Sequence, residues 1–92
     1  MQGTFAENHK TPDGKSCISV FPSVRPQIIN HKIVDQVVAL ENICGDSIRV
    51  QVCYPGTSRC IVVALRGFQR LERVLGIASD SPEFRYEYRE LF

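Results

Sequence analysis

The stretch that most constrains the fold is SIRVQVCYPGTSRCIVVAL, residues 47–65, in which two alternating apolar runs flank a short polar turn. The first run alternates Ile48, Val50 and Val52 with other residues, and the second run reads CIVVAL over residues 60–65. β-Branched residues at a period of two are typical of half-buried strands. The stretch therefore predicts a β-hairpin whose two strands each contain a cysteine.

One register satisfies both predicted strands at once. A slip by one residue would turn every apolar side chain toward water, so the pattern itself selects the pairing in which Cys53 lies opposite Cys60. Directly opposed residues have Cβ atoms about 4.5–5.5 Å apart, which a small adjustment brings within reach of a disulfide. Pro55 and Gly56 suit the centre of a type II turn between the strands. The register predicts the apolar pairs Val52–Ile61, Val50–Val63 and Ile48–Leu65 on one face.

The four cysteines predict two disulfides and an oxidising compartment. Their spacings are wide, whereas structural zinc ligands usually come as close pairs. With Cys53 joined to Cys60, the remaining pair is Cys17–Cys44. Disulfides imply export, yet the chain opens without the charged and apolar segments of a signal peptide. Of the two explanations, that the peptide has been removed or that the protein is not exported, we favour the first and expect a mature secreted or periplasmic form. The alternative is four reduced, buried thiols in a cytosolic protein.

The chain divides into a leader and one domain. Residues 1–16 are polar and contain a Pro-Asp-Gly turn signal, so we predict a flexible leader in which His9 is solvated. Residues 17–92 predict a single β domain. A chain of this length buries only roughly 60–65% of the surface that its unfolded form exposes, so disulfides are an expected source of stability.

Three segments outside the hairpin show strand patterns of differing clarity. Residues 17–21 alternate briefly and stop at Pro22, which predicts a short edge strand followed by an extended, proline-bounded linker. Residues 33–41 are rich in valine and favour a strand. Residues 68–77 fit either a helix or a strand, and their position after a strand and a glycine turn favours the strand.

The last segment, residues 84–91, alternates cleanly and predicts a final strand. Its aromatic face, formed by Phe84, Tyr86 and Tyr88, is predicted to cover the core. In total the chain offers five to six short strands separated by turn signals. This pattern predicts an all-β fold, a small antiparallel β-sandwich or barrel stapled by two disulfides.

The run ENICGDSIRVQVCY places a cysteine-containing turn before a strand that ends in Cys-Tyr. In this respect the chain resembles small exported bacterial disulfide-containing β-sandwich proteins of uncharacterised function, over roughly residues 37–88. The resemblance implies export and a disulfide-stapled β fold. It implies no activity.

The sequence contains no constellation typical of an enzyme. It has no nucleophile-elbow, zinc-protease, phosphate-binding or dinucleotide-binding motif. His9 and His31 lie in the leader and the linker, and Glu87 and Glu90 are interpreted as solvated charges. Paired cysteines would leave no reactive thiol. We therefore predict no catalytic residue, no metal site and no cofactor, and a protein that is not an enzyme.

The charge pattern argues against nucleic acid as a partner. The net charge is +1, and the seven arginines after Gly45 are interleaved with acidic residues, as on a solvated surface. No apolar run approaches the roughly 20 residues that a membrane-spanning helix needs. The sequence thus predicts neither nucleic-acid binding nor a membrane span.

Binding is the function class that remains. We expect an exported module, a monomer or weak homodimer, that recognises a protein or a glycan. The alternative is a structural or assembly component of the cell envelope that associates through an edge strand. Tyr54 and Arg59 are the candidate contacts, because both residue types are enriched at binding hot spots and a loop closed by a disulfide loses little entropy on binding. The competing interpretation is that the Tyr54 ring covers the core and Arg59 is solvated.

Overall fold

The computed structural model describes residues 9–79 and 83–91. These residues form two antiparallel three-stranded sheets, with strand orders β1-β2-β5 and β4-β3-β6, that pack as an open sandwich. The all-β prediction is confirmed, and of its two architectures the sandwich is the one observed. No helix long and apolar enough to span a membrane occurs in the described residues. The strands are β1 (Ile18–Pro26), β2 (Ile33–Asn42), β3 (Ile48–Cys53), β4 (Cys60–Leu65), β5 (Arg70–Ser79) and β6 (Glu87–Leu91).

The core lies between the central strands of the two sheets. Val38 and Leu40 from β2 meet Val50 and Val52 from β3, and all four side chains are fully buried. β2 also buries Val37, which lies on its other face. On that face the two strands that flank β2 are joined by a 3.1 Å ion pair between Arg25 of β1 and Glu72 of β5.

The β3–β4 hairpin has the predicted register, from Ile48 opposite Leu65 to Cys53 opposite Cys60. At its turn Gly56 has a φ of 70°, the left-handed conformation that a type II turn requires and glycine adopts without strain. The Tyr54 amide donates to the Arg59 carbonyl at 3.1 Å. The cysteines therefore occupy the adjacent, non-hydrogen-bonded pair, where opposed backbones come closest.

Both predicted disulfides are present. Cys53–Cys60 joins the two strands of the hairpin, with a Cα–Cα distance of 4.0 Å. Cys17–Cys44 joins the residue before β1 to the turn after β2, with a Cα–Cα distance of 5.4 Å. Two disulfides in so small a domain are consistent with an extracellular or otherwise oxidising compartment.

Two strands near the start and end of the domain differ from their predicted limits. β1 does not stop at Pro22 but continues to Pro26, because it is an edge strand and an edge tolerates a residue without an amide hydrogen. Residues 68–77 contribute to a strand, β5, as the sequence favours. β6 begins only at Glu87, so the prediction of a strand from residue 84 is wrong at its start.

The aromatic residues before β6 lie between the two sheets. Phe84 and Tyr86 pack against the core, as predicted, and the Tyr86 hydroxyl donates to the Val20 carbonyl of β1 at 3.0 Å. A segment that crosses from one sheet to the other cannot pair with a strand of either, which explains why the alternation at Phe84 and Tyr86 is not strand. Tyr88 lies within β6 and is 44% exposed, so the prediction that it covers the core is wrong.

Residues 9–16, which the sequence assigns to the leader, form a small turn with a bridge between Lys10 and Ser16. The predicted leader also includes residues 1–8, which, like residues 80–82 and 92, lie outside the described residues. His9 lies beside Glu90, with its backbone amide 3.0 Å and its ring Nδ1 2.5 Å from Glu90 Oε1. The prediction that Glu90 is solvated is wrong, because this side chain is 2% exposed and lies on the core face opposite Val50.

Candidate functional site

The turns of two hairpins lie at the same end of the sandwich. One is the disulfide turn, residues 54–59, between β3 and β4, and the other is the isoleucine turn, residues 27–32, between β1 and β2. The Tyr54 hydroxyl donates to the Gln36 side chain near the start of β2, whereas Asn42 at the end of β2 donates to the Asp46 carbonyl at 2.7 Å, just before β3. The start of β2 therefore lies beside the end of β3, so both turns extend from the same end of the sandwich. We call this end, formed by residues 27–32 and 54–59, the hairpin end.

The disulfide turn is packed against the sandwich by Tyr54, the first of the two predicted contact residues. The Tyr54 ring meets Phe84 edge to face with centroids 6.5 Å apart. Its hydroxyl reaches Gln36 and lies over Gly76, where the space that a Cβ would need is already occupied by that hydroxyl. Tyr54 thus joins β3 to β2 and β5 across the sandwich.

Arg59, the second predicted contact residue, lies on the solvent side of the same ring. Its guanidinium is 5.1 Å from the Tyr54 ring centroid, within the range of a cation–π contact. Burial raises the pKa of the Tyr54 hydroxyl, and the nearby Arg59 charge lowers it in part. The structure brings the two predicted residues together, with Tyr54 half-buried and Arg59 exposed.

The isoleucine turn presents its apolar side chains to solvent. Ile28 is 93% exposed and Ile29 is 99% exposed. The backbone around them is nevertheless held by hydrogen bonds, with the Gln27 amide donating to the Ile33 carbonyl at 2.9 Å and the Ile33 amide to the Asn30 carbonyl at 3.0 Å. Two adjacent aliphatic side chains are therefore displayed on an ordered turn without packing against the domain.

The charges beside these isoleucines are few. Lys32 and His31 follow them within the turn and are exposed. Arg25 is paired with Glu72, and the Asp35 carboxylate accepts a 3.1 Å hydrogen bond from the Gln27 side chain. The turn is thus an apolar projection with a weakly basic margin.

Sequence reasoning missed the isoleucine turn because it assigned residues 22–32 to a linker. The signal available there was the dipeptide Ile28-Ile29, placed between Pro26 and the turn-forming Asn30. Two apolar residues in a turn have no periodic partner with which to be buried, so they are candidates for an intermolecular contact. Once β1 and β2 are recognised as a hairpin, the two isoleucines can be assigned to its turn.

A shallow groove of about 580 Å³ lies on the outer face beside the disulfide turn. It is lined by polar groups and by the Cys53–Cys60 disulfide, and its floor includes a 2.8 Å hydrogen bond from Arg89 Nε to Gln51 Oε1. Thr57 and Ser58 form its margin. The groove extends the hairpin end onto the β4-β3-β6 sheet and presents hydrogen-bonding groups there.

The residues that the sequence considered for catalysis are dispersed. His31 lies exposed in the isoleucine turn, Glu87 is exposed on β6, and Glu90 is buried beside His9. Among the described residues, no group of three histidine, cysteine, aspartate or glutamate side chains is placed to hold a metal ion. All four cysteines are in disulfides.

No protein-family model, curated protein or solved structure matches the chain.

Proposed function

We propose that the protein is a non-catalytic interaction module, secreted or periplasmic, that binds another protein through the hairpin end. The observation that supports this function is the isoleucine turn, in which Ile28 and Ile29 are almost fully exposed on an ordered backbone. Each buried CH₂ group contributes about 0.8 kcal/mol, so enclosing two isoleucines in a partner's apolar pocket supplies a substantial part of a micromolar affinity.

An apolar protein pocket fits these side chains better than a glycan does. Isoleucine has no hydrogen-bonding group, whereas a glycan presents hydroxyl groups that need donors and acceptors. Within the turn itself, the exposed polar residues Asn30, His31 and Lys32 follow the two isoleucines and supply the rim of such a contact. An apolar centre with a polar rim is the usual organisation of a protein–protein interface.

A lipid surface fits the turn less well. Stable attachment of a peripheral protein to an anionic membrane takes an apolar anchor together with a cluster of basic residues. Here Lys32 is the lysine of the turn, and the nearby Arg25 is already paired with Glu72. The small basic margin therefore favours a protein partner.

The test is capture of partners from an extracellular or periplasmic extract of the native organism with the wild-type protein and two variants. Ile28→Ser combined with Ile29→Ser removes the apolar projection. Phe68→Asn is the matched control, because Phe68 is an exposed apolar residue next to Gly45, at the opposite end of the sandwich, with a φ of 60° that asparagine tolerates. We expect a partner that is retained by the wild type and the control but lost with the double variant.

Two further arms make the proposal specific. Arg59→Ala tests whether the disulfide turn shares the contact, and a reduced recovery of the same partner is expected if it does. Sedimentation with anionic vesicles separates a lipid surface from a protein. Vesicle binding that depends on Ile28 and Ile29, or capture that is unchanged in their double variant, would overturn the proposed function.

A further inference from the structure

The edges of the two sheets differ in how they are protected against pairing with another strand. β1 contains Pro22 and Pro26, and β6 is only five residues long and contains Glu87 and Arg89. β5 has an irregular register where it pairs with residues 36 and 37 of β2, and it contains several charged residues. Prolines, charges, irregular pairing and shortness are the features by which natural proteins prevent edge-to-edge association.

β4, which at six residues is one residue longer than β6, has none of the other features. Its sequence, CIVVAL, contains no charge, no proline and no glycine, and its pairing with β3 is regular over all six residues. Among the described residues no strand pairs with its outer edge. An open cleft of about 770 Å³, lined in part by Leu65 and Leu71, lies where the end of β4 and the start of β3 meet β5. The outer edge of β4 is thus the unprotected edge of the described sandwich.

The hydrogen-bonding groups of this edge follow from the hairpin register. The bond from the Tyr54 amide to the Arg59 carbonyl fixes the alternation, so Ile61, Val63 and Leu65 direct their amides and carbonyls toward β3. The intervening residues Cys60, Val62 and Ala64 direct theirs outward. The free edge ends at Arg66, whose amide is not available to a new strand because it already donates to Gln69 Oε1 at 2.8 Å.

We infer that the outer edge of β4 pairs antiparallel with the same edge of a second copy of this chain, with Val62 on the twofold axis. This register uses all three outward-facing residues of each copy, because Cys60 lies opposite Ala64 of the second copy and Val62 lies opposite itself. On the core face it places Ile61 opposite Val63 of the second copy. The result is a continuous sheet with strand order β6-β3-β4-β4-β3-β6.

A second copy fits this edge because β4 contains no charged residue. In a twofold contact a strand pairs with the identical strand of the second copy. A charged residue near the axis would then face a like charge, which is unfavourable. β4 is free of charge over its whole length, so its self-pairing opposes no like charges, and the exposed Val62 gains a valine neighbour on the axis. In this arrangement the hairpin ends of the two copies point in opposite directions.

The experiment measures self-association of the full, oxidised chain by sedimentation equilibrium up to millimolar concentration. We expect a monomer–dimer equilibrium. Val62→Lys places two like charges on the axis, and it is expected to weaken the dimer by at least tenfold without unfolding the protein, because Val62 is 55% exposed. Val74→Lys is the matched control, since Val74 is 46% exposed on β5, and it should leave the dimer unchanged.

Amide exchange measured by NMR tests the register. As protein concentration rises, the amides of Cys60, Val62 and Ala64 should exchange more slowly, whereas those of Ile61 and Val63 are protected at every concentration. A monomer throughout the range, a dimer that persists in Val62→Lys, or unchanged exchange at the three outward-facing amides would each overturn the inference. None of these three measurements involves the hairpin end. Failure of the dimer therefore does not contradict the proposed function, which the capture experiment tests separately.

Discussion

The two turns of the hairpin end use their large side chains in opposite ways. In the disulfide turn, Tyr54 folds back onto the sandwich and meets Phe84, Gln36 and Gly76. In the isoleucine turn, Ile28 and Ile29 point into solvent, although their backbone is as well ordered by hydrogen bonds. Residue type alone is therefore a poor guide to a contact surface. The tyrosine that resembles a hot spot stabilises the fold, and the aliphatic pair left without a partner is the stronger candidate.

The largest stability effect is expected from Tyr54→Ala. The substitution removes a half-buried ring together with its hydrogen bond to Gln36, whose side chain is then buried without that donor. We expect a loss of about 2–3 kcal/mol in the free energy of unfolding, below the roughly 3–5 kcal/mol of a fully buried aromatic residue. Urea denaturation followed by circular dichroism measures it. A loss below 0.5 kcal/mol, on the order of an ordinary surface substitution, would remove the contrast between the two turns.

A smaller effect is expected from Tyr54→Phe and from Gly76→Ala. The first removes only the hydroxyl that donates to Gln36, and the second places a Cβ where that hydroxyl lies. Each should cost about 1–2 kcal/mol, through an unpaired Gln36 side chain in both cases.

The double variant provides the control for this pair. Since both changes disrupt the same contact, their effects should be clearly less than additive in a double-mutant cycle. Additive losses would mean that Gly76 is needed for a reason independent of Tyr54.

Alkaline pH should lower the free energy of unfolding through ionisation of the Tyr54 and Tyr86 hydroxyls. Burial raises the pKa of Tyr54, and burial also raises the pKa of Tyr86, with Tyr88 adding to the effect. The unfolded chain therefore releases these protons first, so stability is full below a pH of about 10 and falls as the pH rises above it.

Thermal unfolding between neutral pH and pH values above the ordinary tyrosine pKa measures this dependence. Tyr54→Phe should make the decline shallower. Arg59→Ala should make it steeper, because the Arg59 charge lowers the pKa of Tyr54. An identical decline in all three proteins would show that Tyr54 does not contribute to it.

The sequence was most informative where two patterns constrained each other. The alternation of β3 and β4 fixed a register that placed Cys53 opposite Cys60, and this left Cys17 to pair with Cys44. The burial of Glu90 could not be found in this way. Its alternation placed it on the face of Tyr88, but its partner, His9, lies 81 residues away.

The candidate site was less predictable than the fold. Tyr54 and Arg59 were identified by residue type and were found together, but the direction of the Tyr54 ring depends on Gln36 and Gly76 in the other sheet. Ile28 and Ile29 were missed because a strand was expected to stop at Pro22, and only a β1 that continues to Pro26 makes them the turn of a hairpin. Contacts between sheets leave no local pattern in the chain.

The smallest stability effect is expected from Ile28→Ser combined with Ile29→Ser. Neither side chain is packed in the domain, so the free energy of unfolding should change by less than about 0.5 kcal/mol, as for other surface positions. The hydrogen bonds that order the turn involve the backbone of Gln27, Asn30 and Ile33 and are retained. Urea denaturation compares this variant with Tyr54→Ala under the same conditions. A loss as large as that of Tyr54→Ala would mean that the isoleucines pack against the domain in solution, and the two turns would then share one structural role.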